Sequence, residues 1–177
     1  MQTFDFDLFV VGGGSGGVRA ARMAAQRGAK VALAEVADMG GTCVNVGCIP
    51  KKLYSYAAHY AESFEESHGY GWVGDAPRFD WEVLKANRAR EISRLNGVYV
   101  QLLDNSGVKI IKGWARLLDA HTLEVEGHKF SAKHILISTG GTATVPAVEG
   151  REHVVTSDHM FDLKPFPQRL LVVGGGY

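Results

Sequence analysis

Cysteine is scarce in this chain: there are two in 177 residues, at positions 43 and 48. That count excludes the disulfide-dense scaffolds of small secreted domains. It makes a reducing cytoplasm the expected setting, where a disulfide is more often catalytic than structural. Charge of one sign is lacking too. Nineteen basic residues balance nineteen acidic ones, so no global field favours nucleic acid or an anionic membrane surface, and neither is expected as a partner. No apolar run approaches the roughly 18 residues of a membrane helix. The opening MQTFDFDLFVV carries acids where a secretory signal carries bases. Clustered metal ligands are missing as well: no second cysteine pair and no histidine pair accompanies Cys43 and Cys48, so no metal is expected.

What is present begins with residues 7–35, DLFVVGGGSGGVRAARMAAQRGAKVALAE. Residues 8–11 read as a buried strand and 18–27 as a helix closed by Gly28. Residues 31–34 read as a second strand, completing a βαβ unit. Gly12, Gly14 and Gly17 supply the GxGxxG spacing between strand and helix: a tight turn, close approach of backbone to a pyrophosphate, and close packing of helix on strand. The helix that follows offers its free N–H groups to phosphate. Glu35 ends the second strand, where an acid accepts from the hydroxyls of an unphosphorylated adenosine ribose. FAD or NAD suits it better than NADP.

Helices are predicted over 50–68 and 80–104, the second starting at Asp80 with Trp81, Leu84, Ile92, Leu95, Tyr99 and Leu102 along its apolar side. From Val108 the period shortens. VKIIKG, ARLLD, TLEVEG and KFSAKHILIST read as short strands, and residues 135–138 as a further buried strand entering the turn Thr139-Gly140-Gly141. A loop-like stretch follows, and then LLVVGGGY repeats the pattern of residues 8–14. A second nucleotide-binding unit is therefore expected to begin there, in a piece of a longer protein. The expected architecture is α/β, a Rossmann-like dinucleotide-binding domain with an added antiparallel β segment, incomplete. Residues 1–160 would carry its first segment and 161–177 the linker and first strand of the next domain.

The stretch GGTCVNVGCIPKK, residues 40–52, contains both cysteines. Gly40, Gly41, Asn45 and Gly47 describe an irregular turn, and Pro50 suits the first position of the next helix. Cys48 then lies near a helix amino terminus with Lys51 and Lys52 close by, a setting that favours thiolate. In a regular helix, residues five apart are separated by about 7.5 Å along the axis, beyond the ~6.8 Å limit between bridged α-carbons. A bridge thus requires the backbone between them to leave the helix. On these grounds alone a pair of small buried thiols remains open beside a redox couple.

GGTCVNVGCIPKK closely resembles the active-site segment of the FAD-dependent pyridine nucleotide-disulfide oxidoreductases, and within them the glutathione reductases most. The likeness runs from DLFVVGGGSGG through ILISTGG to the last glycine turn. Lysine at position 51 fits glutathione reductases, since lipoamide dehydrogenases and mercuric reductases usually have serine there. The resemblance implies that Gly12, Gly14, Ser15, Gly16, Gly17, Glu35, Gly41, Thr42, Cys43 and Lys51 contact FAD. It further implies that Ala115 gives a backbone contact to adenine and that Thr139 and Gly140 lie near the cofactor. Lys51 would set a cation by the flavin, with Lys52 left as a surface charge.

The implied reaction passes electrons from NADPH through FAD and a Cys43–Cys48 disulfide to glutathione disulfide. Cys43 is the outer sulfur that forms the mixed disulfide, and Cys48 resolves it. The implied assembly is a homodimer whose proton donor, a histidine, lies in a later segment. Arg19 and Arg22 would face the disulfide-substrate cleft, where trypanothione reductases carry an acid and a tryptophan, and Tyr99 would reach the glutathione site. The NADPH site and the histidine are expected to lie outside this chain, which alone is not expected to turn over. The competing readings are a non-catalytic nucleotide-binding fragment and a reductase for trypanothione, lipoamide or mercuric ion.

Overall fold

A computed structural model describes residues 3–75 and 77–175 of the chain. Six strands form one sheet: β1 (Phe6–Val11), β2 (Val31–Glu35), β3 (Lys109–Lys112), β4 (Ala115–Leu117), β5 (Thr122–Val125) and β6 (His128–Ile137). Their order is β3-β2-β1-β6-β5-β4. The first four in that order run parallel and β4, β5 and β6 form an antiparallel meander. β1 is the central strand, and Phe9 and Val10 are fully buried on its two faces. Val10 joins Val18, Ala21, Leu33 and Leu103 under the helices, while Phe9 joins Phe6, Leu123 and Ala132 on the other side. Both faces are covered, so the parallel strands read as continuous apolar runs rather than alternating ones.

The helices are α1 (Ser15–Ala25), α2 (Gly41–Asn45), α3 (Cys48–Ser67), α4 (Trp81–Asp104) and α5 (Ser157–Met160). α1 starts three residues before the predicted helix because Gly16 and Gly17 are taken into its first turn. Asp80 caps α4 as its sequence implies, its carboxylate accepting from the amides of Glu82 and Val83 at 3.0 and 3.1 Å. The predicted apolar side of α4 is only half buried, and the side chains it buries are Lys85, Arg88 and Leu103. Arg88 is drawn in by a strap, donating to the carbonyl of Phe161 at 2.8 Å and, in a forked pair, to Asp162 at 2.5 and 3.1 Å. Tyr54 donates to the same carbonyl at 2.7 Å and the Trp81 indole to that of Leu163 at 3.0 Å. These bonds fasten residues 161–163 across α3 and α4.

Two further expectations are corrected. Residues 135–137 are the end of the ten-residue β6, with Ser138 following it, rather than a separate buried strand, and Ile137 is 61% exposed. Among the described residues β5 pairs only residues 128–131 of β6, which leaves the far end open on that edge. Residues 170–173 form no strand; Leu171, Val172 and Val173 are 85%, 74% and 89% exposed, with no strand beside them among the described residues. Of the expected second segment, 161–177, positions 176 and 177 lie outside the described residues. No described helix is long and apolar enough to cross a membrane.

Candidate functional site

The carboxyl ends of β1, β2, β3 and β6 open on one edge of the sheet. There the chain leaves β1 for β2 on one side and returns as β6 on the other, the switch point where open α/β sheets bind ligands. Gly12 has φ 110°, and a Cβ on it would lie 2.3 Å from the Ser138 carbonyl oxygen at the end of β6. Gly17 is equally constrained: a Cβ there would meet the Gly12 carbonyl oxygen at 1.9 Å, so helix and turn touch only because both are glycine. Gly14 differs. Its Cβ would make only an ordinary 3.7 Å contact with Gly41, so protein packing does not account for it. Gly14 caps α1 with no side-chain bond and no acid in the first turn, and the leading amides of the helix are left for an anion.

Glu35 is half buried and is not a solvated strand-end charge. One carboxylate oxygen accepts from the Gly13 amide at 2.6 Å and the other from the Ala37 amide at 2.7 Å. The acid therefore shapes the glycine turn. Beyond it, the Gly113 amide donates to the Glu35 carbonyl at 2.9 Å, which brings Ala115 at the start of β4 to the same edge. Thr139 and Gly140 follow β6 directly, held by Ser138, whose hydroxyl donates to the carbonyls of Val11 and Gly12.

The cysteine stretch is joined to this edge through backbone. Gly14 and Gly40 form a parallel bridge, and the Gly40 amide donates to the Gly13 carbonyl at 2.8 Å. A Cβ on Gly41 would stand 2.7 Å from the Gly14 Cα. Residues 41–45, read from sequence as an irregular turn, form the short helix α2. The backbone then leaves helix at Val46 (φ −139°, ψ 27°) and Gly47 (φ −142°, ψ −114°), as bridging the cysteines would demand. A Cβ at Gly47 would press on the Thr42 carbonyl oxygen at 2.8 Å. α3 starts at Cys48, so Pro50 is its third residue rather than its first, still within the turn where a missing N–H costs nothing.

Cys43 and Cys48 are thiols in this structure, the first half buried and the second exposed. The Cys48 thiol beside it, and then burial, push the Cys43 thiol above its ordinary value, while the Cys48 amide and the Ser15 hydroxyl pull the other way. The thiolate-favouring setting expected of Cys48 does not extend to Cys43. Thr42 sits beside it in α2. Lys51 is exposed in the first turn of α3, and Lys52 lies 4.9 Å over the Tyr56 ring, turned to the surface. On α1, Arg19 is exposed, whereas Arg22 is half buried with its Nε enclosed and without a hydrogen-bond partner. Tyr99 packs against the core cluster of Val18, Ala21 and Leu103, the position of an aromatic on an amphipathic helix.

Sequence reasoning missed the amide pair that fastens α2. Asn45 and Asn96 lie 51 residues apart, and nothing local marks them as neighbours.

Residues 6–177 match the pyridine nucleotide-disulphide oxidoreductase family. The chain is 50% identical to the Glutathione reductase of Burkholderia cepacia over all of its own length and 39% of that protein's. It is 47% identical to the Glutathione reductase, chloroplastic/mitochondrial, of Pisum sativum over 99% of its length and 34% of that protein's. For the Glutathione reductase of Nostoc sp. the identity is 45% over 99% and 38%. The chain thus spans between a third and two fifths of the curated relatives it matches. It belongs to the pyridine nucleotide-disulphide oxidoreductase family.

Proposed function

We propose, with membership of that family as the premise, that this chain is the flavin-binding, cysteine-bearing part of a glutathione-disulfide reductase. In this reading electrons come from NADPH and leave to glutathione disulfide through the Cys43–Cys48 pair. The observation that carries the reading is the backbone bridge between Gly14 and Gly40, which sets the cysteine helix against the glycine turn. The names of the relatives support the substrate.

The residues present fit a dinucleotide. Gly12, Gly14 and Gly17 leave the turn bare, and the amides of Ser15 and Gly16 open α1 without a cap. Glu35 would accept from the ribose and Ala115 would meet adenine. Gly41, Thr42, Lys51, Thr139 and Gly140 would line the remainder. Bound FAD supplies two-electron exchange between a pyridine nucleotide and a disulfide.

The chain's own part is thiol chemistry. Cys43 gives up its proton and its sulfur attacks glutathione disulfide, forming a mixed disulfide and releasing one glutathione. The Cys48 sulfur then displaces the second, closing the Cys43–Cys48 bond. Two electrons and two protons leave the pair with two glutathiones. The neighbouring Cys48 thiol and burial raise the Cys43 thiol above its ordinary value, so a base near it favours the first step. A base from another part of the full protein, which we propose to be a cytoplasmic homodimer, would serve.

Arg22, with an unpartnered Nε, is the better placed of the two arginines to receive a substrate carboxylate. Arg19 would add charge at the rim. Tyr99 would reach the substrate from the other helix, although its contacts are those of core packing. This length of chain would bind flavin without completing turnover.

The test is the visible spectrum of the chain after incubation with FAD and gel filtration. Retained yellow flavin is expected, and a colourless chain overturns the reading. Titration of the unreduced, denatured protein should find no free thiol before reductant and both afterwards.

A further inference from the structure

We propose that Asn96 is a positioning residue for Cys43, holding α2 against the long helix α4 so that the Cys43 and Cys48 sulfurs keep one relative placement. The inference rests on the redox reading of the two cysteines. α2 has five residues and buries only Val44, and its amino end has no side-chain cap. A helix so short has no stability of its own. Its fastening is polar. Asn96, near the middle of the 24-residue α4, uses its carboxamide N–H groups on the Met39 carbonyl at 2.6 Å and the Asn45 side-chain oxygen at 3.0 Å. Asn45 in turn donates to the Gly41 carbonyl at 2.9 Å, across the whole of α2. The two amides therefore brace both ends of the helix that carries Cys43.

Apolar packing within α2 is confined to Val44. Asn45 and Asn96 border an open polar cavity of about 390 Å³ that Arg88, Ser93 and Asp162 also line. Cys48 is fixed separately, as the first residue of the 20-residue α3. The spacing of the two sulfurs is thus set by how α2 is held, and a disulfide tolerates little error in that spacing. Releasing α2 lowers the effective concentration of one thiol at the other and makes the disulfide easier to reduce.

The measurement is the Cys43–Cys48 reduction potential in the full-length protein, poised in graded mixtures of glutathione and glutathione disulfide. Formation of the bond removes two electrons and two protons from the thiols and converts one glutathione disulfide to two glutathiones. Asn96→Leu, which removes both donors at similar volume, should lower the equilibrium constant for oxidation about tenfold, a rise of ~30 mV. The pH profile of Cys43 alkylation should move down at the same time, since its proximity to Cys48 is the first cause of its raised value. Arg94→Ala, which removes only a surface pair with Glu91 on the same helix, should leave both readouts in place.

Should Asn96→Leu not fold, Asn96→Asp keeps the shape while losing the donors to both the Met39 carbonyl and the Asn45 side-chain oxygen, and it should shift both readouts the same way. A wild-type pair that forms no disulfide at any ratio would overturn the redox reading itself. A wild-type pair that does form one, with the folded Asn96 variant within about twofold of it, overturns the role of Asn96 alone.

Discussion

Two stretches of this chain carry nearly the same letters, LFVVGG at 8–13 and LLVVGG at 170–175, differing at one position. Their local backbone agrees where it is most constrained: Gly12 has φ 110° and Gly174 has φ 108°. Their surroundings do not agree. Val10 is fully buried between β2 and β6, whereas the equivalent Val172 is 74% exposed. A Cβ on Gly12 would strike Ser138, and one on Gly174 would strike nothing within 4 Å. A hydrophobic run ending in glycine therefore specifies a turn by itself, but it becomes a strand and a binding turn only when other strands flank it.

The sharpest way to break that comparison is to place the same charge in both stretches. Val10→Asp buries a carboxylate with no partner and should cost more than about 4 kcal/mol, enough to abolish the cooperative urea transition. Val172→Asp should change stability by no more than about 0.5 kcal/mol. Comparable losses at both sites would mean that 170–173 is packed in solution as 8–11 is.

The glycines give the next largest effect. Gly17→Ala must displace the Gly12 carbonyl and should cost about 1–3 kcal/mol, with loss of flavin retention after dialysis. Gly175→Ala meets nothing within 4 Å and should be silent on both counts.

Glu35→Gln removes the charge from a carboxylate that now serves two backbone amides and, in the proposed function, a ribose. Flavin affinity should weaken by about 1.5–3 kcal/mol. An unchanged flavin content would confine Glu35 to shaping the turn.

The smallest of these effects lies in the strap that precedes the second stretch. The Arg88 guanidinium holds the Asp162 carboxyl below the ordinary carboxylate range. A depressed folded value means that the stabilisation is full above the ordinary aspartate range and is lost as pH falls through the lowered one. Asp162 is largely exposed, so solvent screening keeps the contribution within about 1 kcal/mol. Asp162→Asn should be less stable than wild type by that amount near neutral pH, and the two urea curves should converge in strong acid.

Much of the fold was legible. The βαβ unit, the two long helices and the four short strands follow from periods of 3.6 and 2 and from glycine at the breaks. α2 was not legible, because five residues containing two β-branched side chains carry no helical period; its helix is imposed by Asn96 and by the bridge to Gly14. The half-burial of Ile135 and Leu136 and the exposure of Ile137 were hidden for a similar reason, since a run of apolar letters does not say on which edges a strand is paired. Of the candidate site, the glycines, Glu35 and the cysteines announced themselves by spacing. Asn45 and Asn96 did not.

Sequence alone determined the elements whose cause is local: where glycine turns the chain, where Asp80 starts a helix, and which residues form the glycine and cysteine motifs. Tertiary structure alone decided that the cysteine helix lies on the glycine turn and that Glu35 closes that turn. The physical reason is that hydrogen-bond partners and burial belong to pairs of segments. Gly14 and Gly40, or Arg88 and Asp162, are brought together only by the fold of the chain between them.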